Sequence, residues 1–300
     1  MVARTAKPVR RRRLIVLGVV VVALVLAPLP VAHYLTRPFS HVEVQSTTYT
    51  GYDLREIEFQ SDGTTLRGWF GGPADATGVV VIAHGMPGCF DASLAREFLS
   101  RGYQILFANG MGCCTSDGRH TGHPARSAVD VAAALDWLAA QPEAAGLPRL
   151  LWGVSYGGGG VVGATLGRTD VTAVVSVAGA YSPLAKLDYN WRQSAGPVLA
   201  AVSRPYVWLD AKLSLGRYGA VNAIDAINAF DGPVLVAQGT DDPMTPFAEV
   251  SIAGRRDQVT NPRAEFLIYD QPPYNGHANF IDEAFWERVD AFYQAAIAAA

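Results

Sequence analysis

Leu150-Leu151-Trp152-Gly153-Val154-Ser155-Tyr156-Gly157-Gly158-Gly159 is the stretch on which the reading of this chain turns. Pro148 leads into Leu150-Leu151-Trp152, a short apolar run of the kind that forms a buried strand. The small, apolar residues from Gly158 to Leu166 suit a helix packed closely on a sheet. Between the two lies G-x-S-x-G. A serine on a sharp strand-to-helix turn has its hydroxyl lifted clear of the backbone, and Gly153 and Gly157 let the chain bend without a β-carbon clash. The plainer alternative, a glycine-rich turn with a solvated serine, would not need a strand before it and a helix after it.

A lone serine hydroxyl is a poor nucleophile, so this reading requires a base, an orienting acid and an oxyanion hole. His277 lies in Tyr274-Asn275-Gly276-His277, a turn-like segment ahead of a helical pattern. Asp242 follows the apolar run Pro233-Val234-Leu235-Val236-Ala237 and fits a G-x-x-D spacing from Gly239. Its carboxylate is therefore expected at the carboxyl end of a strand, where open α/β sheets carry their chemistry. Neighbouring Asp241 competes for the role but reads better as a loop cap. The apolar run Val79 to Ala83, followed by His84-Gly85-Met86-Pro87-Gly88, supplies a central strand and a tight loop. Two preset backbone N–H groups, those of Tyr156 and Met86, would then face a developing oxyanion. Gly85 permits close approach, Pro87 stiffens the turn, and His84 is read as positioning the loop through its ring nitrogens.

On these residues, in the order Ser155, Asp242, His277, the chain resembles the α/β-hydrolases with a serine triad. It is most similar to the group that holds serine aminopeptidase-like hydrolases, dienelactone-hydrolase-like esterases and the catalytic domains of prolyl-oligopeptidase-type peptidases. The resemblance runs from about Tyr52 to the C-terminus and omits a stretch near residues 182–225. It implies a mostly parallel sheet with helices on both faces, an acyl-enzyme mechanism and no cofactor. One departure stands out. Where relatives carry Asp-x-Arg-Gly-x-Gly-x-Ser, this chain has Asn109-Gly110-Met111-Gly112-Cys113-Cys114-Thr115-Ser116. The ion pair that would brace this loop is expected to be absent.

The alternation of apolar runs supports the same fold class. Residues 52–59 and 65–70 read as a hairpin, and strands are expected at 79–83, 104–108, 149–153, 172–177, 233–238 and 265–269. Helical patterns lie near 91–101, 126–140, 156–166, 246–256 and 281–298. Tyr181 to Phe230 is too long for a simple connection; residues 182–220 read as a small helical cap, with a crossover helix near 220–227. Tyr189, Trp191, Tyr206, Trp208 and Tyr218 belong to that stretch, and one or two of them are expected to line a pocket.

The 300 residues are half apolar with net charge −3, enough for one hydrolase domain over 51–300 and without the basic surface of a nucleic-acid binder. The basic residues that cluster, Arg4, Lys7 and Arg10 to Arg13, precede Leu14 to Ala32, nineteen residues without a charged side chain. That length spans a bilayer core of ~30 Å as a helix. Residues 1–13 are read as a cytoplasmic tail, 14–32 as an uncleaved anchor and 33–50 as a tether, with the catalytic domain outside the cytoplasm. A cleaved signal peptide is the alternative, although Pro28 and Pro30 make poor neighbours for a cleavage site.

Such an address permits a disulfide, and Cys89 with Cys113 or with Cys114 would brace the loop beside the oxyanion hole; three reduced thiols are the alternative. His120 and His123 form an H-x-x-H with no third ligand nearby, so no metal is expected. The expected substrates are carboxylic esters, with peptides as runner-up. A membrane-tethered binding module that kept the fold and lost the chemistry remains the reading from another class. Nothing in the sequence speaks to oligomeric state.

Overall fold

The computed structural model describes residues 7–35, 50–86, 88–119, 123 and 125–300. Two helices open the chain, α1 (Lys7–Leu26) and α2 (Pro28–Leu35), separated where Pro28 and Pro30 interrupt the ladder. Within them Arg12–Pro30 is a run of 19 residues with mean hydropathy 2.5 and none of it buried. By length and composition it could cross a membrane or serve as a signal sequence. α2 ends on the protein body. Ala32 packs with Leu187 and Val207, and the His33 ring lies 2.6 Å from Asp210 Oδ1. His33, assigned to the tether from sequence, is thus part of a docked helix; residues 36–49 lie outside the described ones.

The strands are β1 (Leu54–Ser61), β2 (Thr64–Gly71), β3 (Val79–Ala83), β4 (Gln104–Ala108), β5 (Arg149–Val154), β6 (Ala173–Val177), β7 (Val234–Gly239) and β8 (Ala264–Tyr269). They form one sheet in the order β1-β2-β4-β3-β5-β6-β7-β8. The β1–β2 hairpin and its junction with β4 are antiparallel, and every later pairing is parallel. Parallel strands covered on both faces read as unbroken apolar runs, which is why Val79–Ala83 and Val234–Ala237 are recognisable in the sequence. From β3 the chain passes to β4 on one side and then to β5 on the other. The switch point beside β3 leaves a crevice at the strands' carboxyl ends, the usual place for a ligand in such a sheet.

Helices α3 (Ala92–Leu99), α4 (Arg126–Ala139), α5 (Tyr156–Ala164), α6 (Pro183–Ala195), α7 (Pro197–Leu215), α8 (Ala223–Ala229) and α9 (Glu283–Ala298) complete the described elements apart from short 3₁₀ turns. Two apolar cores form, one on each face of the sheet. On one face α4, α5 and α8 bury Leu135, Val161 and Ile227. On the other, α3 and α9 bury Phe98, Phe285 and Tyr293 around Trp152. Each fully buried large apolar side chain contributes about 1.5–3 kcal/mol. α6 and α7 stand apart as the cap.

One expected helix is absent. Residues 246–256 form turns that lead into a 3₁₀ segment at Ala253–Gln258. Their backbone groups are used elsewhere: the Val250 carbonyl accepts from the Tyr181 N–H, and the Ile252 N–H donates to the Gly179 carbonyl. The Ser251 hydroxyl completes the arrangement, donating to the Phe247 carbonyl and accepting from the Gly254 N–H. With these groups paired to residues 179 and 181, the i→i−4 pattern is reduced to the Val250 N–H on the Pro246 carbonyl.

Candidate active site

Ser155 sits between β5 and α5 with φ 56° and ψ −112°. A non-glycine residue held in this region costs of order 1–3 kcal/mol, and the surrounding packing must hold it there. The two flanking glycines explain how. A β-carbon at Gly153 would lie 2.3 Å from the Gly157 carbonyl oxygen, and one at Gly157 would lie 1.8 Å from that of Ala83. The elbow therefore works only without side chains at both positions. Gly157→Ala should destabilise the fold by about 3 kcal/mol or more, because the clash is with strand backbone that cannot swing aside. Urea unfolding of the variant checks this; an unchanged midpoint would contradict the tight-elbow account.

The loop after β3 abuts the elbow. A β-carbon added at Gly85 would come 3.4 Å from that of Ser155. The loop closes with the Gly88 N–H donating to the Gly85 carbonyl at 2.7 Å. The His84 ring is held by its own loop and by β4: its Nδ1 is 3.0 Å from the Gly85 carbonyl oxygen and its ring stacks on Phe107. Its Nε2 lies 3.9 Å from Asp91, which caps α3. These are the contacts of a loop-positioning residue. Tyr156 occupies the first position of α5, where the backbone N–H groups point out of the helix end. Pro87 lies outside the described residues.

Asp242 and His277 meet. His277 Nδ1 is 2.8 Å from Asp242 Oδ2. The carboxylate has no exposed side-chain surface, and donors surround it. Oδ1 accepts from the Met244 and Thr245 N–H groups at 2.8 Å each, and Oδ2 accepts from Gln238 Nε2 at 2.9 Å. Burial alone would raise its pKa; the hydrogen bonds from His277, Thr245 and Gln238 outweigh that and hold it below the ordinary carboxylate range. Asp241, by contrast, is exposed. With Nδ1 turned to Asp242, Nε2 is the ring nitrogen that the pair leaves unused. Ser155 and His277 line one cleft, together with His84, Met86 and Met244.

A second, more enclosed cavity of about 160 Å³ also reaches Ser155; it shares Met86 and Met244 with the cleft and is lined besides by Tyr156, Tyr181, Lys186 and Asn190. None of the five cap aromatics singled out in the sequence lines it. Trp191 and Trp208 instead face a groove between α6 and α7. The cap does border the cavity, but through the opposite residues of α6, a distinction that sequence spacing cannot make.

The loop at 109–117 is held without the missing ion pair. Asn109 Oδ1 accepts from the Phe90 N–H at 2.7 Å, and its Nδ2 donates to Thr115 Oγ1 at 2.9 Å. Buried Asp130 accepts from the Met111 N–H, from Ser61 and from Arg126. A disulfide joins Cys89 to Cys114 across this loop and the one after β3, while Cys113 stays a buried thiol. Burial pushes that thiol up to about 12, so it is a poor nucleophile. His120 lies outside the described residues; His123 is buried, its Nδ1 accepting from the Ala125 N–H at 3.2 Å. Among the described residues no cluster suited to a metal is found. Two contributors were missed from sequence, Gln238 and Lys186. Gln238 had a legible signal, a polar residue closing an otherwise apolar strand.

The model of the X-Pro dipeptidyl-peptidase (S15) family matches residues 38–195. No curated protein matches the chain significantly. Among solved structures, the chain is similar to an esterase of Pyrococcus furiosus, with TM-score 0.64 and 18% identity over 86% of this chain and 98% of that one. An alpha/beta hydrolase from Penicillium sp. sh18 gives TM-score 0.60 and 20% identity over 82% and 99%. The acylaminoacyl peptidase of Pyrococcus horikoshii gives TM-score 0.59 and 16% identity over 83% of this chain and 42% of that one. At these identities the likeness is one of fold, and the fold is that of the α/β-hydrolases.

Proposed function

We propose, for a chain that belongs to the X-Pro dipeptidyl-peptidase (S15) family of α/β-hydrolases, the activity of a serine hydrolase that cleaves carboxylic esters. The observation that carries this is the His277–Asp242 pair at 2.8 Å, in one cleft with a serine on a strained elbow. In this reading Ser155 Oγ attacks the ester carbonyl while His277 Nε2 takes its proton. The ester C–O bond then breaks, and the same proton passes to the departing alcohol. Water, deprotonated by His277, releases the acid and restores Ser155. The Met86 and Tyr156 N–H groups would hold the oxyanion. Asp242 keeps the imidazole in the required tautomer and stabilises its cation.

The family favours a second reading, release of X-Pro dipeptides. Its difficulty lies in the cavity beside Ser155. A dipeptidyl-peptidase has to accommodate its substrate's N-terminal ammonium, yet the residues lining this cavity include Lys186 and no carboxylate. A panel of nitrophenyl esters and X-Pro nitroanilides separates the two. The ester reading expects kcat/KM at least tenfold higher for the esters; the reverse order would replace it with the peptidase.

For the N-terminal segment we favour a membrane anchor that starts at Leu14, with residues 1–13 cytoplasmic and, outside, the end of α2 that docks through Ala32 and the hydrolase domain of 51–300. The support is the uncharged run Leu14–Ala32 behind six basic residues, Arg4, Lys7 and Arg10 to Arg13. The membrane-bound protein should resist carbonate extraction and carry an active export-dependent reporter at its C-terminus. A soluble mature form starting near His33 would identify a signal peptide instead, and activity of a cytoplasm-dependent reporter would refute the address.

A further inference from the structure

Two spaces meet at Ser155, and they are chemically unlike. The open cleft contains His277; the enclosed cavity, which shares Met86, Ser155 and Met244 with it and adds Tyr156, does not. In acyl transfer the leaving group must lie within reach of the imidazole that protonates it. The leaving group therefore belongs in the cleft, and the acyl group in the enclosed cavity.

That cavity is mostly apolar, walled by residues such as Ala128, Val221, Ala223 and Met244. Besides Ser155, Tyr156 and Thr245, its polar residues come from the cap and the segment leading into it: Lys186 and Asn190, one turn apart on α6, with Tyr181 just before that helix. Lys186 is the one charged side chain among the residues that line it. Its ammonium donates to the Met244 carbonyl and lies 5.6 Å from the centre of the Tyr189 ring. Both partners are neutral.

The carboxylates nearby are engaged with other groups. Asp242 is surrounded by His277, Gln238 and two backbone N–H groups. Asp188 and Glu249 both pair with Arg192, at 3.2 and 3.4 Å. Burial lowers the pKa of Lys186, partly offset by Asp242. A partly buried cation whose acceptor is a neutral carbonyl gains from an incoming anion, since a charge taken from water is best compensated by an opposite charge.

We propose that Lys186 selects acyl groups ending in a carboxylate, so that the preferred substrates are half-esters of short dicarboxylic acids. The proposal rests on the serine-hydrolase reading and names its substrate class. The small volume of the cavity, about 160 Å³, fits a short chain better than a fatty acyl tail. Asn190 and Tyr181 line the same cavity and carry groups that can donate to a carboxylate.

The test uses the full-length protein in detergent and two nitrophenyl esters that differ only in charge, 4-nitrophenyl hydrogen glutarate and its methyl ester. A hydrogen bond to a charged group contributes about 1.5–3 kcal/mol, so the wild type should favour the anionic ester by roughly tenfold or more in kcat/KM. Lys186→Met should bring the ratio to about one, Lys186→Arg should keep most of the preference, and Lys186→Glu should reverse it. Because the ratio is taken within each variant, partial misfolding cancels. A purely structural role for Lys186 would slow both esters alike, and an unchanged ratio in Lys186→Met would overturn the proposal, as would a wild type that prefers the methyl ester. Failure of the hydrolase reading looks different: the wild type would hydrolyse neither ester and take no fluorophosphonate label, overturning both.

Discussion

Replacing Ser155 with alanine is expected to lower kcat for any ester substrate by on the order of 10⁵–10⁶-fold, the loss measured when a triad nucleophile is removed. Alanine keeps the β-carbon at φ 56° and deletes only the hydroxyl, so the elbow and its glycine contacts remain. Thermal unfolding should therefore change little while turnover disappears. Steady-state hydrolysis of a nitrophenyl ester, read beside a melting curve, checks both parts. A variant that keeps more than a hundredth of wild-type activity would mean that another group makes the attack.

The second large effect concerns the acid. Asp242→Asn should cost about 10⁴-fold in kcat, whereas Asp241→Asn should stay within a few-fold of wild type. Every described partner of the Asp242 carboxylate is a donor: Met244 and Thr245 N–H on Oδ1, Gln238 and His277 on Oδ2. An amide NH₂ would face a donor in either orientation. If it faced His277, the ring would turn acceptor at Nδ1 and carry its proton on Nε2, where it cannot take one from Ser155. Asp241 is exposed, and its backbone N–H is held by the Asn275 carbonyl at 2.7 Å. Equal losses in the two variants would reverse the assignment.

The low pKa of Asp242 adds a stability consequence. A carboxyl held below its unfolded value contributes stability above that value and loses it as pH falls through the folded one. Acid unfolding of wild type should thus set in below the ordinary aspartate range, and Asp242→Asn should flatten the dependence there.

Much of the fold is legible in the sequence, because buried parallel strands and the tight turn at Ser155 impose strict local demands. Val79–Ala83 must be apolar on both faces, and Gly153 and Gly157 must lack side chains. The parts that were not legible depend on contacts distant in sequence. Residues 246–256 carry a helical pattern, yet their backbone groups pair with residues 179–181. Asn109 leaves its loop without the ion pair that relatives carry there, and what the sequence does not show is that its amide offers an acceptor to Phe90 and a donor to Thr115 at once. The cap was foreseen as a stretch of helix, but its periodicity could not say which face of α6 borders the cavity. Lys186 lies on that face, and the five cap aromatics do not.

The central claim is that Ser155 is the nucleophile, activated by His277 on Asp242. It is tested most directly by reacting the full-length protein with a fluorophosphonate and mapping the adduct by peptide mass spectrometry. The account predicts one modified residue, Ser155, with labelling absent in Ser155→Ala and strongly slowed in Asp242→Asn. A native protein that takes no label, or an adduct on any other serine, would contradict it.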